Sequence, residues 1–251
     1  MVHGIFMKNH IYKNNFFNYV DRSSSLSAKH TLSKINLPFE IKSILDVGCG
    51  RGAWLAEWKK SLAEVNVLGI DGHYVNQDML AIEKSEFMAL DISNSFNLNK
   101  KFDLVQCLEV AEHIDNSKSK ALIKNLIAHG DIILFSAATP GQGGEHHVNE
   151  QKLEYWKNLF EEEQYTCIDC IRSKIINNNK IEPWYRYNTL LYVNNKVLEL
   201  KFKNNLHQIV PIGTPPNDLS SKYWKLRNNI IKNTPTLVLN MLIKIKHKFN
   251  G

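Results

Sequence analysis

The stretch ILDVGCGRGAW, residues 44–54, constrains this chain more than any other. An apolar run that reads as a buried strand ends in Gly48, Cys49, Gly50, Arg51 and Gly52, and a helical pattern starts at Ala53. Glycine lets the backbone turn tightly and approach a ligand with no Cβ in between. The helix that follows aims its unpaired N–H groups back at the same place. Strand, glycine turn and helix in that order open an α/β sheet that binds a ligand beyond the C-terminal ends of its strands. By itself the turn leaves alternatives open. Gly48-x-Gly50-x-x-Ala53 also fits a dinucleotide fingerprint, and a purely structural turn looks the same.

Downstream, apolar and helical patterns alternate. Strands are expected at 42–47, 66–70, 86–90, 102–107 and 131–136, and helices at 53–62, 75–83, 117–127 and about 149–163. That alternation predicts a mostly parallel sheet with helices on both faces. Two more strands, about 165–175 and 188–194, read as a closing hairpin across the polar, aromatic loop NNNKIEPWYRYN. The expected organisation is a helical lead-in over 1–39, an α/β domain over 40–195 and a basic extension over 196–251.

Charge narrows the partners. The 251 residues carry a net +6. From Lys196 onward there are ten Lys and Arg against two acids, so the extension holds +8 and the remainder −2. A body without a basic face is not expected to bind nucleic acid. The chain has no apolar run long enough to span a bilayer and no signal-peptide core, so a cytoplasmic protein is expected. Cys49, Cys107, Cys167 and Cys170 read as reduced thiols, and the CxxC of the last two lacks a second ligand pair.

Three carboxylates end three successive strands. Asp46 precedes the first glycine by two residues, where a pyrophosphate would be repelled and a cationic sulfonium or amino group welcomed. Asp71, followed by Gly72, is placed to accept from ribose hydroxyls, a task that serves either a nicotinamide cofactor or an adenosyl donor. Asp91 and Ile92 follow the third strand, where an exocyclic adenine amine would lie. Each aspartate alone could equally cap a helix.

LDVGCGRG, the strand end at Asp71, ALDIS and CLEVAEHI together resemble class I S-adenosylmethionine-dependent methyltransferases. The resemblance covers roughly residues 40–195 and implies a Rossmann-like, seven-stranded sheet with an antiparallel closing strand. It implies that Gly48, Cys49, Gly50 and Gly52 pass the methionine part of the donor, that Asp71 with Gly72 holds the ribose, and that Asp91 with Ile92 holds the adenine. Glu109, Glu112 and His113 would face the methionine end and the acceptor. The product would be S-adenosylhomocysteine.

The acceptor side is expected in SAATPGQGGEHHVNEQ, residues 136–151. A neutral hydroxyl is a weak nucleophile, and histidine is the side chain best tuned to remove its proton near neutral pH. His146, His147 and His113 are therefore the catalytic candidates, with Glu112 and Asn149 on the substrate. The same cluster is chemically competent for a divalent metal, but its spacing is no recognised metal signature, so none is assigned. Trp184, Tyr185 and Arg186 are expected to pack on and clamp an acceptor. With the glycine-rich loop, they are similar to methyltransferases of bacterial surface-polysaccharide biosynthesis. That likeness implies O-methylation of a sugar or a sugar-linked phosphoramidate, on a glycan or nucleotide-linked acceptor. In the phosphoramidate case the oxygen is already anionic, and the histidines and Arg186 would bind charge instead.

Competing readings are a methyltransferase acting on another small molecule, an NAD-dependent oxidoreductase using the same loop, and a binding protein that keeps the fold without catalysis. A base-amine methyltransferase is disfavoured by the acidic body and by the lack of an Asn/Asp-Pro-Pro-aromatic run. In the extension, SSKYWKLRNNIIKN and TLVLNMLIKIKHKF are amphipathic and basic, a pattern suited to an anionic inner-membrane surface, to a partner protein or to packing on the domain.

Overall fold

In a computed structural model, residues 14–234 are described, with their side chains from residue 21 onward. Seven strands form one sheet: β1 (Ser43–Val47), β2 (Asn66–Asp71), β3 (Phe87–Ala89), β4 (Leu104–Leu108), β5 (Ile132–Ser136), β6 (Tyr165–Ile168) and β7 (Leu190–Asn194). Their spatial order is β3-β2-β1-β4-β5-β7-β6. The first five strands are parallel, and β7 runs antiparallel to both β5 and β6. This is the expected fold class.

The central strands are buried on both faces, as parallel strands must be. Alternation along them divides the core in two. Ile44, Leu104 and Leu134 pack with α1 (Asn14–Leu32) and α2 (Ala53–Ser61), through Ala28, Trp54 and Trp58. Leu45, Val105 and Phe135 face α3 (Ser119–His129) and α4 (Leu153–Glu162), through Leu126, Trp156 and Phe160.

Three expectations are corrected. The helix expected at 75–83 is absent; that stretch holds one 3₁₀ turn, Gln77–Met79, and a second, Lys84–Glu86, follows it. Strand β6 ends at Ile168 rather than about 175, and Arg172 explains the stop. Its guanidinium is buried, pairs with Asp169 at 2.6 Å and donates to the Tyr187 carbonyl at 2.9 Å, which turns the chain out of the sheet. The expected hairpin loop also contains two short helices, α5 (Arg172–Ile175) and α6 (Pro183–Asn188), the second started by Pro183 at the position where its missing N–H costs nothing.

The extension begins with α7 (Asn195–Phe202), which the sequence did not announce, and continues to α8 (Lys222–Lys232), inside the first amphipathic segment. The second, at 236–249, lies outside the described residues. No helix among the described residues is long and apolar enough to cross a membrane. All four cysteines are free. Burial raises the Cys167 thiol to about 12 and Cys170 to about 11, which leaves both unreactive.

Candidate active site

The glycine turn sits between the C-terminal ends of β1 and β2. Gly50 has φ +55°, and a Cβ built on it would meet nothing within 4 Å, so the turn borders open space that a side chain would fill. Its N–H donates to Asp71 at 2.7 Å. The Asp71 carboxylate also accepts from the Gly72 N–H at 2.6 Å and from the Tyr74 hydroxyl. Tyr74 itself is 54% exposed, so one of the aspartate's three partners is a phenol at the surface, with its ring packed over Gly72.

Asp46 is buried within β1, and burial raises its carboxyl to about 7 against the opposing pull of Gln106; Asp71 nearby adds to the rise. A cation brought beside such a group favours its ionised form. Asp91 is exposed and accepts from the Ser93 N–H at 3.0 Å and from the Asn94 amide at 2.7 Å, with Ile92 half-buried beside it. Cys49 packs its sulfur against Gly69 of β2, on the sheet side of the turn. An open cradle at Gly50 and a ribose-competent carboxylate at Asp71 are what an adenosyl donor requires, and the residues present fit it.

On the other side of the crevice β4 leads into Glu109, whose φ of +57° is unusual for a side chain that is not glycine. A 3₁₀ turn, Ala111–His113, follows. The segment after β5 folds back over this turn, since Val148 and Asn149 donate their N–H groups to the Glu112 carbonyl at 2.9 and 3.0 Å. This brings distant histidines together, with the rings of His113 and His147 4.9 Å apart. His147 Nε2 lies 4.0 Å from the Glu112 carboxylate, and its Nδ1 lies 2.9 Å from Glu150. One ligand atom each from Glu112, His113 and His147 falls within 4.8 Å of the others, a set able to hold a divalent metal. Glu112 Oε2 and His113 Nδ1 are buried and have no hydrogen-bond partner.

Burial dominates the electrostatics here. It drives the Glu112 carboxyl well above the usual range, helped by the Glu109 charge. It lowers the His113 imidazole to about 4, helped by His147. Glu150 is pulled the other way: burial raises it, but hydrogen bonds from His147, Gly141 and Gly143 outweigh that and hold it below its ordinary value.

The other expected residues fall elsewhere. His146 is exposed at the same loop, with φ +58°. Asn149 is buried and fully engaged, donating to Ser119 at 3.0 Å and accepting from Asn116 at 2.9 Å, so it holds the loop rather than presenting a free amide. Tyr185 is buried against Trp54 and bonded to Ser24 on α1, which makes it core rather than acceptor surface. Trp184 is half-buried on the same core. Arg186 donates to the Ile176 carbonyl at 3.1 Å and to Asn179 at 3.2 Å, and lines a polar cavity of about 580 Å³ with Asn177, Tyr187, Ser221 and Tyr223.

Sequence reasoning missed Gln142, and it placed Glu150 in the loop's polar cluster without giving it a role. Glu150 ties His147 to the N–H groups of Gly141 and Gly143, both at 2.7 Å. Gln142 donates to Glu109 at 2.6 Å. Their signal was present as polar residues among loop glycines, but nothing local names their partners.

Comparisons with known proteins agree with this fold. A family model described as a methyltransferase domain matches residues 21–174. The mitochondrial ubiquinone biosynthesis O-methyltransferase of Dictyostelium discoideum is 32% identical over 115 residues, covering 39% of this chain and 35% of that protein. The ubiquinone biosynthesis O-methyltransferase of Hydrogenovibrio crunogenus is 30% identical over 118 residues, covering 39% and 46%. The chain thus spans less than half the length of these two curated relatives. Among solved structures, an O-methyltransferase family protein from Burkholderia thailandensis superposes with a TM-score of 0.55 at 11% identity, over 71% of this chain and 58% of that one. That likeness is one of fold.

Proposed function

The chain belongs to the methyltransferase-domain family, whose donor is S-adenosylmethionine, and from that premise we propose that it methylates an oxygen atom presented to His147 and Glu112. Gly48, Gly50 and Gly52 with Asp46 would pass the charged methionine end, Asp71 and Gly72 the ribose, and Asp91 with Ile92 the adenine. Bound there, the donor supplies an electrophilic methyl group on a sulfonium. The residues of this chain do the rest. Glu150 would accept a hydrogen bond from His147 Nδ1–H and so leave Nε2, 4.0 Å from Glu112, as the lone-pair nitrogen. In a displacement where the oxygen–methyl bond forms as the methyl–sulfur bond breaks and S-adenosylhomocysteine leaves, that nitrogen would take the proton of the acceptor hydroxyl. Glu150, held ionised by its hydrogen bonds, would stabilise the resulting positive charge on the ring from 2.9 Å away. The pairing of His147 with Glu150 is the observation that carries this reading.

The finer proposal is a polar acceptor, a sugar or a sugar-linked phosphoramidate. It is supported by the cavity lined by Asn177, Asn179, Arg186 and Ser221, which offers amide, guanidinium and hydroxyl groups to a polyol or an anion. Tyr187 of that cavity abuts Trp224 of α8, ring centres 6.0 Å apart, which joins it to the helix above the His147 loop.

A second reading uses a divalent metal at Glu112, His113 and His147, favoured by the buried, unpartnered atoms of the first two. A metal there would lower the acceptor hydroxyl's pKa directly.

The deciding experiment is calorimetry with S-adenosylhomocysteine and with NAD, followed by turnover against nucleotide sugars, phosphoramidates and phenols, each with and without a chelator. Homocysteine-analogue binding with oxygen methylation is expected. Binding of NAD alone would overturn the assignment, and loss of turnover with chelator would replace the base by the metal. The basic face of α8, with Tyr223, Leu226 and Ile230 exposed, is proposed to rest on anionic lipid; failure to float with anionic vesicles at low salt refutes it.

A further inference from the structure

Helix α8 lies against the loop that carries His147, and the contact is made backbone to backbone. Gly141 has φ +84°, and a Cβ placed on it would fall onto the carbonyl oxygen of Asn228 in α8. Only glycine permits that approach. One residue on, the Arg227 guanidinium donates to the Gln142 carbonyl at 2.7 Å while lying over the Trp224 ring at 4.5 Å. Trp224 is buried against Tyr187, so Arg227 is held from below, and the same guanidinium nitrogen also donates to the Asn228 side chain at 2.9 Å.

Gln142 is itself 4% exposed and spends every polar group. Its N–H donates to the Thr139 carbonyl at 2.9 Å, its carbonyl accepts from Arg227, its side-chain oxygen accepts from Asn188 at 2.9 Å, and its side-chain nitrogen donates to Glu109 at 2.6 Å. Glu109 is the residue at φ +57°, a backbone state that persists only when its surroundings hold it.

We infer that α8 sets the acceptor side of the crevice through Gln142, a positioning residue that holds Glu109 in its left-handed conformation, with Arg227 as the contact that fixes Gln142. The inference rests on the methyltransferase reading, because Glu109 borders the crevice that reading assigns to donor and acceptor. A side chain bonded at both ends and on its backbone transmits a displacement instead of absorbing it. The C-terminal extension is then part of the working site.

Amide hydrogen exchange on the full-length chain tests this without an identified acceptor. Arg227→Ala is expected to speed exchange about tenfold at 140–144 and at Glu109–Ala111. Affinity for S-adenosylhomocysteine should fall by less than about tenfold, because Gly50 and Asp71 are untouched while Glu109, at the methionine end, is loosened. Arg227→Lys, which keeps a donor, should restore most of the protection. Gln142→Met, similar in shape but unable to donate, should speed Glu109–Ala111 by itself, and adding Arg227→Ala should then change nothing further there. If Arg227→Ala does not fold, Gln142→Met alone decides. Unchanged exchange at Glu109–Ala111 in Gln142→Met overturns the inference, as does an Arg227 effect that survives in the Gln142→Met background. Failure of the unaltered protein to bind S-adenosylhomocysteine would instead sink the functional reading.

Discussion

The Glu150 carboxylate holds His147 Nδ1 at 2.9 Å, and by doing so it decides which edge of that ring is left for an acceptor. The same carboxylate accepts from the N–H groups of Gly141 and Gly143, so one side chain sets both the loop's shape and the ring's orientation.

The first prediction concerns that pair. His147→Ala should lower kcat by about 10²–10³-fold with donor affinity nearly unchanged, the range expected for losing a general base. Glu150→Ala should cost less, about tenfold, through a misoriented ring. Steady-state kinetics beside calorimetry measure both. Full activity in His147→Ala would transfer the role to another group or to an acceptor that is already anionic.

On the proposed reading, the Tyr74 hydroxyl, which donates to Asp71, would compete with a ribose hydroxyl for it. Tyr74→Phe should therefore tighten S-adenosylhomocysteine by up to about tenfold, the worth of one exchanged hydrogen bond. Asp71→Ala should weaken it by about 10²-fold or more. Calorimetry on the two variants decides, and a weaker Tyr74→Phe protein would mean that the phenol contacts the ligand instead.

Asp46 predicts a pH dependence of stability. Its folded pKa, about 7, lies above its ordinary value of 3.8, so the folded state binds its proton more tightly. That contribution is present at low pH and is lost as pH rises from about 4 through 7, at most about 4 kcal/mol. Urea unfolding of Asp46→Asn compared with the unaltered chain at pH 5 and 8 isolates it. The gap between the two proteins should change with pH by a few kcal/mol; a constant gap would show that Asp46 titrates normally.

Arg172 is fully buried between β6 and α6. Arg172→Ala removes its bond to the Tyr187 carbonyl and leaves Asp169 unpaired, and should cost about 3–5 kcal/mol in denaturant unfolding. A loss under about 1 kcal/mol would mean that the turn after β6 holds without it.

Much of the donor side was legible in the sequence. ILDVGCGRGAW gave strand, turn and helix to within a residue, because both the apolar period and the glycines are local signals. Asp46, Asp71 and Asp91 could be placed at strand ends for the same reason. The helix expected at 75–83 failed because its apolar residues sit among Gly72, Asn76 and Asp78, and Asn76 caps a single turn instead. The aromatic run at 184–187 read as a clamp, yet Tyr185 turned inward, since a surface loop and a short helix packed on α1 share the same residue types.

What the chain's order of residues determined by itself is the run of strand segments and the glycine turn, because each depends on neighbours within a few positions; the sheet's switch of direction followed from the family resemblance. Only the tertiary structure decided that His113 meets His147, that Glu150 pairs with the His147 ring, and that Arg227 reaches Gln142 across 85 residues. Those pairings are fixed by how separate elements pack, and no local pattern of side chains encodes a distance between them.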